Sequence, residues 1–184
     1  GVAIVRVSGI KARAIGQELT GLELQPRYAH ACTFKDDTGL IIDQGLILFF
    51  PSPRSFTGED VVELHGHGGV VVSEWLLSNA LRLGARPAEP GEFTLRAFLN
   101  DKLDLAQAEA IADLVNSGSR VAAQAAMRSL DGVFSDRVDE VQKLLTELRV
   151  QIEAWLDFPD EELELDDTGD LEAQFGAAIE SLEQ

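Results

Sequence analysis

SFTGEDVVELHGHGG, Ser55 to Gly69, runs directly into VVVSEWLLSNALRLG, Val70 to Gly84. This junction decides the fold. Val61 to His65 alternates as a short strand, so period two sets Val61, Glu63 and His65 on one face and Val62 and Leu64 on the other. Val70 to Leu83 has helical apolar spacing and Gly84 supplies a stop signal. Strand, glycine-rich turn and helix in succession predict a small α+β layer. With Val62 and Leu64 in the core, Glu63 faces a cleft or solvent. A carboxylate on a rigid strand can accept two parallel N–H bonds from a planar, guanidine-like edge. An ordinary exposed strand glutamate is the plainer reading of the spacing alone.

Upstream, Gly1 to Ser8 predicts a β-branched strand, Ile10 to Leu19 a short helix, and Tyr28 to Phe34 a second strand. Asp36 to Gly39 supplies a turn. Leu46 to Phe50 is a continuous apolar run, expected as a central strand buried on both faces and ended by Pro51 and Pro53. Arg86 to Gly91 is expected as a connector. Arg6, set between Val5 and Val7, needs an acceptor if buried, either a protein carboxylate or a ligand.

From Asp104 onward every pattern is helical. Asp104 and Gln107 form a capping box, and one helical tract is expected from about Ser119 to Leu156. Within it Phe134, Val138, Val141, Leu145, Leu148, Ile152 and Trp155 repeat at four and three, a seam for a packed helix. Leu171 to Leu182 is expected as a further helix. The division predicted is an α+β domain over 1–101 and the first part of an all-helical domain over 102–184. Arg96 and Lys102 fall near that boundary, where a cleft commonly forms. A surface lysine is the ordinary alternative for Lys102.

The net charge is −17. Twelve carboxylates and no Lys, Arg or His fall in Val150 to Gln184, leaving twenty acids against fifteen bases elsewhere. That end is a poor grip for a phosphate backbone, which needs Lys and Arg. Gly66, Gly68 and Gly69 match neither common nucleotide fingerprint; they suit a tight turn, with an anion at the helix start as the alternative. His65 and His67 lack a third ligand in recognisable spacing. Cys32 stands alone, excluding an internal disulfide and pointing to a reducing, cytoplasmic location. No membrane span and no signal peptide are expected.

Six motifs in order give a specific resemblance. Arg6-Val7-Ser8-Gly9, Phe56 to Asp60, Glu63 to Gly69 and Pro90-Gly91-Glu92-Phe93-Thr94 resemble the N-terminal domain of the MnmE/TrmE tRNA-modification GTPases. Leu99 to Leu114 and Asp157 to Glu162 resemble the start of that family's helical domain. The resemblance implies a small mixed-sheet domain related to the folate-binding domain of aminomethyltransferases. It implies pairing as a homodimer and a 5-formyl- or methylene-tetrahydrofolate held by Arg6, Glu63 and Lys102, with Glu63 reading the pterin edge. It further implies an FAD-dependent partner protein and modification of carbon 5 of the wobble uridine in tRNA, without membrane association. GTP, Mg and K belong to a GTPase domain that this sequence lacks, so GTP hydrolysis is not expected from it. Two other readings are a purely structural dimerisation module and a stand-alone folate-dependent one-carbon transferase.

Overall fold

A computed structural model describes residues 1–157, with Gly176 and Ile179 beyond them. Its elements are β1 (Val2–Ser8), α1 (Ala12–Thr20), β2 (His30–Lys35), β3 (Ile41–Phe50), β4 (Val61–His67), α2 (Val70–Arg82), α3 (Glu92–Leu99), α4 (Leu105–Asn116), α5 (Arg120–Leu130) and α6 (Val133–Asp157). The chain forms two compact units, Gly1–Ala108 and Glu109–Gln184. No described helix is long and apolar enough to cross a membrane.

The first unit is α+β. Its sheet runs β1-β4-β3-β2, and the four strands pair antiparallel throughout. An isolated bridge between Pro26 and Phe49 is parallel. The junction at Ser55–Gly84 folds as its periodicity dictates: Val62 and Leu64 are fully buried. They join Val7, Phe34, Ile47 and Phe49 beneath Ala12, Ile15 and Leu19 of α1 and Leu76 and Ala80 of α2, forming one apolar core. At roughly 25 cal/mol per Å² of apolar surface removed from water, this layer is the main favourable contribution to the unit.

The opposite sheet face carries the charged side chains of Arg6 and Glu63. Register places Arg6, Glu63 and Leu48 in one row across β1, β4 and β3, with Ile4, His65 and Leu46 in the next. β3 is therefore central, as expected, but buried on one face only. Ile47 and Phe49 are buried, whereas Leu46 is 42% exposed. Helices cover one side of the sheet, and a continuous apolar run does not reveal that its alternate residues lack a cover.

Between β4 and α2 the glycines permit close approach. A Cβ on Gly68 would sit 2.7 Å from the Gly1 carbonyl carbon and 2.9 Å from the Val2 nitrogen. The tight-turn reading of this segment is the one the geometry supports.

The α4 start is the predicted capping box. Gln107 N donates to Asp104 Oδ1 at 2.8 Å, and Asp104 N donates to Gln107 Oε1 at 3.0 Å. In the second unit the single tract expected from Ser119 is broken. The Ser119 hydroxyl caps α5 by accepting from Ala122 N, and Asp131-Gly132 separates α5 from α6, with Gly132 at φ 91°. Along the α6 seam Val141 and Leu148 are buried, while Phe134, Val138, Leu145 and Ile152 are exposed. The helix expected over 171–182 lies outside the described residues, apart from Gly176 and Ile179, both helical.

Candidate functional site

Arg6 finds its acceptor within the protein. Its Nε donates to Glu63 Oε1 at 2.9 Å, and Nη2 reaches the same oxygen at 2.6 Å. The other oxygen, Oε2, accepts from His65 Nε2 at 3.1 Å. Cross-strand register causes this: Arg6 and Glu63 are directly opposed, and His65 follows Glu63 by one strand period on the same face. The Glu63 side chain is 15% exposed and that of Arg6 41%. The arginine Cζ lies 5.9 Å from the Phe56 ring centroid and 5.8 Å from that of Phe93, within cation–π reach of both.

These aromatic residues arrive from two different segments, the 51–60 loop and α3. A polar network fastens them. Ser8 and Thr57 share a hydroxyl hydrogen bond of 2.6 Å, and Ser8 Oγ donates to Glu59 Oε2 at 3.0 Å. Arg96 spans from Glu59 Oε2 at 2.8 Å to Glu92 Oε1 at 2.8–2.9 Å. Arg86 closes a fork on Glu92 at 2.8 and 2.5 Å. The Arg86 hydrogen bond, then the Glu89 backbone N–H and Arg96, hold the Glu92 carboxyl down at about 2. Contact with Glu92 and Glu59 pushes the Arg96 guanidinium up in turn.

A depressed carboxyl stabilises the fold at every pH above its ordinary unfolded value. That contribution disappears as pH falls from the ordinary carboxylate range through about 2. Glu92→Gln is therefore expected to flatten the acid limb of stability over this window, measured by urea midpoints at a series of pH values. An unchanged acid limb in the variant refutes the linkage.

Lys102 is held by the same loop from another side. Its backbone N–H donates to Ala97 O at 2.9 Å, and Asn100 Nδ2 donates to Thr57 O at 2.7 Å. Gly58 has φ 77°, and a Cβ there would lie 3.0 Å from Asn100 Cβ and 3.3 Å from Lys102 Cγ. The lysine stem thus lies over Gly58. Gly58→Ala is expected to cost about 1–2 kcal/mol, from a left-handed backbone plus a displaced 100–102 turn. Chemical denaturation checks it, and a change under about 0.3 kcal/mol contradicts the contact.

The structure therefore joins Arg6 and Glu63 directly, and sets Lys102 against the loop that bears Phe56. Lys102 makes no hydrogen bond or ion pair with either among the described residues. Arg96, flagged beside Lys102 from its position near the boundary, is committed to Glu59 and Glu92. His67 pairs through Nδ1 with Asp43 Oδ1 at 2.8 Å. Burial pushes the Asp43 carboxyl up, but bonds from the His67 N–H and ring outweigh it and hold it below the usual range. Burial also pushes the Cys32 thiol up to about 11, so it stays protonated at neutral pH. Sequence reasoning gave no role to Phe56 or Phe93. Their only signal was membership of the FTGED and PGEFT motifs.

Fold and site define a two-unit α+β protein whose sheet presents a strand carboxylate, clasped by arginine and histidine beside two aromatic rings. Similarity makes the family definite. A family model described as GTP-binding protein TrmE N-terminus matches residues 1–102, and one described as MnmE helical domain matches residues 105–184. The chain is 54% identical over 182 residues to the tRNA modification GTPase MnmE of Hydrogenovibrio crunogenus (strain DSM 25203 / XCL-2), covering 99% of this chain and 40% of that protein. It is 54% identical over 184 residues to the protein of the same name in Marinobacter nauticus (strain ATCC 700491 / DSM 11845 / VT8), covering 100% of this chain and 40% of that one. The chain belongs to the MnmE family of tRNA modification GTPases, and spans 40% of the length of these curated relatives.

Proposed function

We propose that this chain is the tetrahydrofolate-binding and dimerising part of a GTPase that modifies carbon 5 of the wobble uridine in tRNA. Residues 1–101 form the folate-binding and dimerisation domain, and 102–184 begin the helical domain. Arg6, Glu63 and Lys102 hold a 5-formyl- or methylene-tetrahydrofolate, which supplies the one-carbon unit. The observation that carries the reading is Glu63. It is a carboxylate on a rigid central strand, mostly withdrawn from solvent, with a guanidinium already docked on it. The pterin edge presents a comparable N–C–N donor pattern, so the chemistry of this acceptor fits the group. Arg6 and Lys102 serve the remaining polar parts of the folate. Two such chains pair through the N-terminal domain, an FAD-dependent protein is the partner in tRNA modification, and the setting is the cytoplasm. GTP, Mg and K are used by the GTPase domain of the longer protein.

Titration of the chain with 5-formyltetrahydrofolate, followed by calorimetry, tests the reading. Saturable binding supports it. A second reading, a structural dimerisation module, is favoured by Ile4 and Leu46, apolar and more than 40% exposed in one row of the sheet. A dimer in sedimentation with no folate uptake selects that reading instead.

A further inference from the structure

The contacts of Arg6 match what a pterin ring requires of the same place. The guanidinium takes Oε1 of Glu63 through two nitrogens, at 2.9 and 2.6 Å. Its carbon stands within 6 Å of two phenylalanine ring centroids. A 2-amino-4-oxopyrimidine edge would bind Glu63 through the same N–C–N donor pattern, and its flat ring would use the same aromatic surface. Oε1 takes both Arg6 N–H bonds, whereas Oε2 takes one from His65 and keeps a free lone pair. An edge that needs both oxygens side by side must take Oε1 from Arg6, so the two occupants compete for that oxygen.

Resting on the folate reading above, we propose that Glu63, Phe56 and Phe93 form the pterin seat and that Arg6 fills it as an internal mimic, displaced when the ring enters. Phe56 and Phe93 then become ring-contacting residues. Arg6 becomes a residue with two positions, one on Glu63 and one released toward the rest of the ligand. Release is within reach energetically. The Arg6 side chain is 41% exposed against 15% for Glu63, so a released guanidinium recovers hydration that offsets part of the lost ion pair. The network of Ser8, Thr57, Glu59, Arg96 and Glu92 fixes the loop and α3, so the aromatic walls stay put while the arginine leaves.

The test uses a ligand without a tail, 6-methyltetrahydropterin, which is neutral at mildly alkaline pH and has nothing for a released Arg6 to hold. Calorimetry on the whole chain compares the native sequence with Arg6→Met, which keeps an apolar stem against the rings. The proposal expects Arg6→Met to bind the pterin about threefold or more tighter, because the competitor is gone. Unchanged or weaker binding overturns it, since a direct contact from Arg6 to the ring would be lost. A second readout does not depend on a variant. Salt screens the Arg6–Glu63 pair, so native affinity for the neutral pterin rises with ionic strength; an affinity that falls or stays flat counts against displacement. Phe93→Leu is expected to weaken pterin binding, and an unchanged affinity removes that ring from the seat. Failure of the native chain to bind 5-formyltetrahydrofolate defeats the folate reading and this proposal together. Binding of the folate with no gain in Arg6→Met defeats the proposal alone.

Discussion

Replacing Glu63 with Gln is expected to weaken 5-formyltetrahydrofolate binding by about ten- to thirtyfold, with little change in fold stability. The variant keeps the shape of the side chain but replaces a carboxylate oxygen with an amide nitrogen, which cannot accept. A hydrogen bond to a charged partner contributes about 1.5–3 kcal/mol net. Removal of the charge also loosens Arg6, whose half of the pair is 41% exposed, and a pair screened by solvent on that side is worth roughly 0–1 kcal/mol. The second effect offsets part of the first, leaving a net loss of about 1.5–2 kcal/mol, which sets the stated range. Calorimetric titration of both proteins measures it. A variant that binds within about threefold of the original would remove Glu63 from the ligand site. Stability is the control: the carboxylate lies on the sheet face opposite the main core, so denaturation midpoints are expected to agree closely.

The largest effect on folding is expected at Gly45. A Cβ built there would lie 1.9 Å from the carbonyl oxygen of His65, 3.1 Å from its carbonyl carbon and 3.2 Å from Phe34 Cε2. The first two atoms are backbone within the β3–β4 pairing, and the third belongs to a fully buried ring. None can swing aside as the end of a flexible side chain could. Gly45→Ala therefore requires the strands to part where Leu46 pairs with His65. The expected cost is at least about 3 kcal/mol, at the severe end of overpacking. Against a typical domain stability of about 5–15 kcal/mol, that is a large fraction. Urea unfolding followed by tryptophan fluorescence and circular dichroism measures it. Gly118→Ala is the matched control, since nothing lies within 4 Å of its Cβ position, and its midpoint should scarcely move. Equal midpoints for the two variants would mean that β3 and β4 do not pair in this register.

Much of the first unit is legible from periodicity. Strand β4 and helix α2 follow from Val61 to Leu83 because one face of each must be buried, and burial enforces the period. The capping box at Asp104 and Gln107 is equally local, so residue types three apart suffice to predict its hydrogen bonds. Helix α3 leaves little trace in the sequence. It has eight residues and buries only Ala97, so it leaves too little apolar pattern beside the prolines that precede it. The break at Asp131-Gly132 was hidden because the helical spacing resumes at once on the other side.

The candidate site divides in the same way. Alternation alone sets Glu63 away from the core once Val62 and Leu64 enter it, and the shared motifs bring Arg6, Glu63 and Lys102 forward together. Local pattern could not choose between a ligand and a protein carboxylate as the acceptor for Arg6. That choice depends on the register of β1 against β4, which joins residues 57 positions apart. Nor could it show that β3 is covered on one face only, because the cover is supplied by α1 and α2. The strand carboxylate was thus determined by sequence, through the two-residue period of an extended chain. The guanidinium docked on it, and the two rings beside it, were decided only by tertiary structure, because sheet register and loop packing are long-range consequences of burying one common core.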